Sequence, residues 1–89
     1  MINITVSPNF KKIYSKRVKG NKNLEKRVFE RIDLFQKDFK NKLLNNHCLV
    51  GKMKGLNSFS ITGDIRVVYQ WIDDEKVLFL DIGSHNQVY

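Results

Sequence analysis

Eighty-nine residues, 42% of them apolar, leave room for one hydrophobic core and carry too much apolar content for a disordered chain. A lone cysteine excludes an internal disulfide framework. No apolar run approaches the ~18 residues of a membrane span, and the N-terminal Met-Ile-Asn-Ile-Thr-Val lacks a signal-peptide pattern, so the expectation is a cytoplasmic protein with no membrane partner.

Ile2, Ile4 and Val6 alternate with Asn3 and Thr5, the two-residue period of a half-buried strand. Ser7-Pro8 then reads as an N-cap and a first helical residue, because the serine oxygen can accept an orphan amide and proline has none to leave unpaired. Phe10, Ile13, Tyr14 and Val18 follow at helical spacing, and Gly20-Asn21 ends the helix by tolerating left-handed dihedrals. A longer helix is predicted from Asn23 to Phe39 on the stripe Leu24, Val28, Ile32, Phe35 and Phe39, widened by Leu34; Asp33 and Lys37 form a favourable i,i+4 pair on it. Two successive helices on so short a chain imply an αα-hairpin laid across a sheet.

From Lys40 to Asn57 the periodicity breaks into an asparagine-rich loop, with a short extended piece expected around Lys52–Lys54. Three strands follow: about Ser58–Thr62, Ile65–Ile72 and Val77–Ile82. Gly63-Asp64 and the run from Asp73 to Lys76 mark the turns between them. The predicted architecture is β-α-α-β-β-β, an α+β domain over residues 1–89 with the helical hairpin on a small, mainly antiparallel sheet.

Charge is unevenly distributed. Residues 1–57 carry fourteen Lys/Arg against four Asp/Glu, a balance of +10, whereas residues 58–89 carry two against five, a balance of −3. The basic half reads either as solvated helix faces or as a footprint for a polyanion, with an acidic protein partner as the third reading. Lys12, Lys16 and Lys19 on the first helix, with Lys52 and Lys54 in the loop, are the candidate cations for binding a polyanion such as RNA.

Chemistry concentrates near the ends of the last strands. Arg66 can grip a phosphate through two parallel hydrogen bonds, or it can be tied up by Asp64, Asp81 or Glu75. His85 and Tyr89 follow Gly83, which permits a sharp exit or a close ligand approach. Histidine carries protons near neutral pH, and tyrosine offers a hydroxyl and a stacking ring. A solvated His85 and a Tyr89 that merely anchors the chain are the alternative. His47 alone, in an asparagine-rich loop, reads more often as structural than as catalytic. Cys48 beside it lacks the partners of a zinc motif and is expected to pack as a small hydrophobe. Together these groups suit RNA cleavage by the RNA's own 2′-hydroxyl, which needs a base, a cation and an acid. Clustered carboxylates of a two-metal site are missing from the pattern, so no metal and no cofactor is expected.

Three blocks carry a family resemblance: His47-x-Leu49-x-Gly51-x-x-x-Gly55, Gly63-Asp64-x-Arg66-x-x-Tyr69, and Ile82-Gly83-x-His85-x-x-x-Tyr89. In these the chain resembles the RelE/ParE toxin superfamily of bacterial toxin–antitoxin systems, most closely its YafQ-like branch. The resemblance implies a ribosome-dependent messenger-RNA endonuclease held inactive by a cognate antitoxin. It also implies a monomer when alone and a hetero-oligomer with that antitoxin, and an active site at His47, Asp64, His85 and Tyr89 with Arg66 on the phosphate. Two positions depart from the pattern. The strand expected to carry a histidine or lysines reads Ser58-Phe59-Ser60-Ile61-Thr62, and Asp81 stands where an arginine is expected. A ParE-like gyrase inhibitor, or a catalytically degraded antitoxin- or RNA-binding module, are the competing functions.

Overall fold

Ser7 joins the first strand to the first helix in the computed structural model, which describes residues 1–89. Its hydroxyl accepts the Phe10 amide at 3.0 Å, and Pro8 fills the first helical position, so both features legible in the sequence act as expected. Strand β1 (Asn3–Val6) thus feeds helix α1 (Pro8–Arg17), and Gly20 at φ +95° turns the chain toward α2 (Lys22–Lys37), whose N-cap Asn21 accepts the Leu24 amide at 3.2 Å. Helix α2 stops at Lys37, two residues short of the predicted Phe39. Asp38 leaves helical geometry there, yet Phe39 still reaches the core edge, its ring 5.3 Å from that of Trp71.

Four more strands and one further helix complete the chain: β2 (His47–Cys48), β3 (Asn57–Ser60), β4 (Ile65–Trp71), β5 (Lys76–Ser84) and α3 (His85–Val88). They form one sheet in the order β1-β5-β4-β3-β2, antiparallel throughout except where β1 runs parallel to β5. The extended piece expected at Lys52–Lys54 is instead a 3₁₀ turn, Gly51–Met53, and the extra strand lies at His47–Cys48. The β3–β4 connection spans residues 61–64 and is wider than a two-residue hairpin, with the Ile61 and Thr62 amides both donating to the Ile65 carbonyl. No helix is long and apolar enough to cross a membrane.

Both helices of the hairpin pack on one face of the sheet. Phe35 of α2 stands at the centre, stacked on Phe59 at 4.6 Å and edge-on to Tyr69 at 5.0 Å, while Phe10 of α1 meets Phe79 at 5.5 Å. Such aromatic contacts each add about 0.5–1.5 kcal/mol beyond simple burial. The β4–β5 register skips Leu80, because Val68 faces Asp81 but Tyr69 faces Phe79. The carbonyl of this bulged residue accepts from Ser7 Oγ and Asn9 Nδ2, at 3.2 and 3.0 Å. The start of α1 is thereby tied to the last strand.

Candidate active site

Strand alternation sends Phe59, Val67 and Ile82 into the helical core, so their neighbours emerge on the opposite face. Paired residues on adjacent strands share a face. One row across that face reads His47, Ser58, Val68, Asp81, and the next reads Ser60, Arg66, Gly83. His47 therefore belongs to a strand that aligns it with the C-terminal half of the chain, and is not a loop residue.

Helix α3 folds back onto this second face, which the sequence pattern left uncovered. Gly83 is what allows it: a Cβ there would lie 3.2 Å from Gln87 Cβ and 3.4 Å from Val88 Cγ1. The protein's own helix fills the space beside Gly83 where a close ligand approach was one expectation. Gln87 Oε1 accepts the Ser84 amide at 2.8 Å, and Val88 is buried on the sheet, leaving Val68 only 1% exposed. One residue beyond, the Tyr89 hydroxyl donates to Ser58 Oγ. The Tyr89 ring stands edge-on to His85 with centroids 4.4 Å apart.

Arg66 makes no side-chain hydrogen bond. Its Nε is buried without a partner, and the molecule's one ion pair is the exposed Asp33–Lys37 contact at 3.1 Å. The alternative in which Asp64, Asp81 or Glu75 occupies the guanidinium is therefore overturned. Asp81 Oδ1 instead accepts its neighbour's amide, Ile82 N, at 2.9 Å. Partial burial raises the Asp81 carboxyl above its ordinary range, against the lowering influence of that bond and of the Arg17 charge. Asp64 is exposed in the connection before β4, with its amide donating to Thr62 Oγ1.

The asparagine-rich loop has a structural purpose. Asn41 Oδ1 accepts the Leu43 amide at 2.9 Å in a short 3₁₀ turn, and Asn45 adopts φ +46°, a conformation asparagine tolerates. Asn46 accepts from the Tyr69 hydroxyl at 2.7 Å and donates to the Phe39 carbonyl at 2.9 Å. Burial raises the Tyr69 hydroxyl pKa, with Asn46 acting the other way. So fixed, the chain brings His47 Nδ1 within 2.8 Å of the Asn45 carbonyl. A carbonyl only accepts, so Nδ1 carries a proton and Nε2 is the nitrogen left free.

Lys12, Lys16 and Lys19 are exposed along and just past α1, and Lys52 and Lys54 are exposed in and after the second 3₁₀ turn. Cys48 is also exposed, contrary to the packed role expected of it. No three His, Cys, Asp or Glu side chains converge closely enough to share a metal ion. The residue that sequence reasoning missed is Ser58, which appeared only as a departure from pattern. Its signal was the Ser58-Phe59-Ser60 alternation, which puts a hydroxyl in the same row as His47.

The same architecture recurs in solved toxins. A metal-bound toxin from Helicobacter pylori is 23% identical, with all of both chains covered and a TM-score of 0.79. YafQ from E. coli strain BL21(DE3) is 18% identical over 100% of this chain and 99% of that one, at 0.75. YafQ in the E. coli DinJ–YafQ complex is 19% identical over the same shares, at 0.73. At these identities the likeness establishes the fold. A comparison with curated proteins finds no match. The family described as "Bacterial toxin of type II toxin-antitoxin system, YafQ" matches residues 2–89. Matched over all but its first residue, the chain belongs to the YafQ family of bacterial toxins of type II toxin–antitoxin systems.

Proposed function

We propose that this toxin is a ribosome-dependent endoribonuclease that cuts messenger RNA through the RNA's own 2′-hydroxyl. The observation that carries the reading is Arg66: a guanidinium with a buried, unpartnered Nε, on the sheet face that also bears His47 and the His85–Tyr89 pair. A buried donor without a partner costs about 1–3 kcal/mol. The rest of the guanidinium has no protein partner either, so its terminal N–H groups are free to give a phosphate oxygen a charge-assisted bond, strongest when the phosphorane adds negative charge.

In this scheme the free Nε2 of His47 takes the 2′-hydroxyl proton, and the oxygen attacks the adjacent phosphorus. His85 delivers a proton to the departing 5′-oxygen, Arg66 holds the phosphorane, and Tyr89 supplies a ring for a neighbouring base. Asp64, beside the start of β4, orients groups at the rim. Side chains handle every proton and charge, so the scheme requires no metal. The exposed cations Lys12, Lys16, Lys19, Lys52 and Lys54 serve binding to ribosomal RNA, which also confines the reaction to the cytoplasm where ribosomes are. Residues 1–89 act as one toxin domain, monomeric when free. As in the DinJ–YafQ complex, a cognate antitoxin is its partner, and acidic segments complement the +10 N-terminal body. A gyrase-binding role would leave the orphan guanidinium without a purpose.

Purified ribosomes, a defined message and 5′-end mapping test the reading. Wild-type protein should cut only ribosome-bound message, and Arg66→Ala should cut about 10²–10³-fold more slowly. Arg66→Lys should recover only part of that loss, since an ammonium lacks the planar fork. Full activity in Arg66→Ala would overturn the assignment.

A further inference from the structure

Ser58 is the one polar side chain buried to 0% exposure, and it lies on the sheet face away from the helical core. A buried hydroxyl stabilises nothing unless it is hydrogen-bonded. Its partner is the Tyr89 hydroxyl, thirty-one residues away in sequence. Tyr89 otherwise stands 40% exposed beyond the last turn of a four-residue helix. The other anchors of that helix, Val88 on the sheet and Gln87 on the Ser84 amide, leave the Tyr89 side-chain torsions free. Ser58 also pairs directly with His47 across β2 and β3. It thus stands on the sheet between the histidine on the edge strand, its register partner, and Tyr89 on α3, its hydrogen-bond partner.

We propose that Ser58 is a positioning residue for RNA cleavage: by holding the Tyr89 hydroxyl, it fixes Tyr89, and through ring contact His85, relative to His47. The inference rests on the nuclease reading above and deepens it. Acid, base and stacking ring come from chain segments separated by almost forty residues, and this hydroxyl pair sets their spacing. Removing the Ser58 hydroxyl leaves the core face intact and lets the half-exposed phenol turn to solvent.

The test is single-turnover cleavage on pre-bound ribosomes by wild type, Ser58→Ala, Tyr89→Phe and the double variant, with the His85 imidazole followed by NMR. Ser58→Ala should lower the maximum rate roughly 10–100-fold, the scale set by ångström misplacement, without changing the half-saturating ribosome concentration. In the Tyr89→Phe background the same change should cost nothing further, because the two side chains act through one bond. The His85 ring signals should shift in Ser58→Ala as the Tyr89 ring current moves away. A wild-type maximum rate in Ser58→Ala, or an equal loss in both backgrounds, would overturn the proposal. Absence of cleavage by the wild type would overturn the nuclease reading itself, and unshifted His85 signals in Ser58→Ala would independently overturn the positioning contact.

Discussion

An alanine at position 83 would drive a methyl group into the seat of α3. The added Cβ would meet Gln87 Oε1 at 2.8 Å, Gln87 Cβ at 3.2 Å and Val88 Cγ1 at 3.4 Å. The amide oxygen can rotate away, but then the Ser84 amide loses its 2.8 Å hydrogen bond, at about 0.5–1.5 kcal/mol. Gln87 Cβ is fixed to the helix backbone, so the helix must give by a few tenths of an ångström, and overpacking of this kind costs about 1–3 kcal/mol. What holds α3 down is Val88, whose burial on the sheet contributes about 1.5–3 kcal/mol, with the Tyr89–Ser58 hydrogen bond adding about 0.5–1.5 kcal/mol. The penalty and the anchor are of equal size, so a large fraction of molecules should carry an undocked α3. The helical core lies on the far side of the sheet and should be spared. Amide exchange at Tyr89, whose N–H donates to the His85 carbonyl at 3.0 Å, reads the undocking directly. Gly83→Ala should accelerate that exchange and slow ribosomal cleavage by about tenfold for each 1.4 kcal/mol of docking lost, with little change in the main unfolding transition. Unaltered Tyr89 exchange together with wild-type cleavage would refute the claim that close packing at Gly83 builds the site.

Asp81→Asn should stabilise the protein at pH 7. Burial raises the folded-state pKa of Asp81, so the charged form is penalised above that pKa, and the penalty is relieved as pH falls through it. Denaturant melts from pH 7 toward pH 3 should show the advantage of the asparagine variant shrinking, and an advantage that grew in acid would contradict the sign. Tyr69→Phe should cost about 1 kcal/mol, a fall of roughly 4–8 °C in Tm for a domain of this size, by releasing Asn46. Cleavage should fall with it, since Asn46 directly precedes His47 and β2; a thermal melt and a rate measurement check both. Replacing Lys12, Lys16 and Lys19 with Gln should weaken ribosome association and flatten its salt dependence while sparing turnover on bound ribosomes. An unchanged salt slope would mean that these lysines only solvate α1.

Local signals foretold much of this architecture. The Ser7-Pro8 cap, the left-handed Gly20 and the Phe35 stripe each follow from short-range physics, and the structure contains all three, although α1 already ends at Arg17 and Asn21 is extended and caps α2. Strand β2 was illegible because two residues cannot display a period; it exists only through pairing with β3. Helix α3 has four residues, too few to nucleate alone, and depends on tertiary contacts at Gly83 and Val68 that no local pattern announces. For the site, His47, Arg66, His85 and Tyr89 were named from residue chemistry and resemblance; the register brings His47 and Arg66 to one sheet face, and α3 carries His85 and Tyr89 onto it. The competition between a free and a paired Arg66 could be resolved only in three dimensions. Asp64 and Glu75 sit in connections at the strand ends, and Asp81 follows a bulge. Ser58 was hidden for a simpler reason: a serine in a strand reads as surface until something folds over it.

The central claim is that the RNA's own 2′-hydroxyl does the cutting. It is tested most directly with two ribosome-bound messages that differ by one atom, a ribose or a 2′-deoxyribose on the 5′ side of the mapped cleavage position. The account predicts cleavage of the ribose message, leaving a 2′,3′-cyclic phosphate and a free 5′-hydroxyl, and no cleavage at the deoxy position. Equal cleavage of the two messages, or a product ending in a 5′-phosphate, would contradict it.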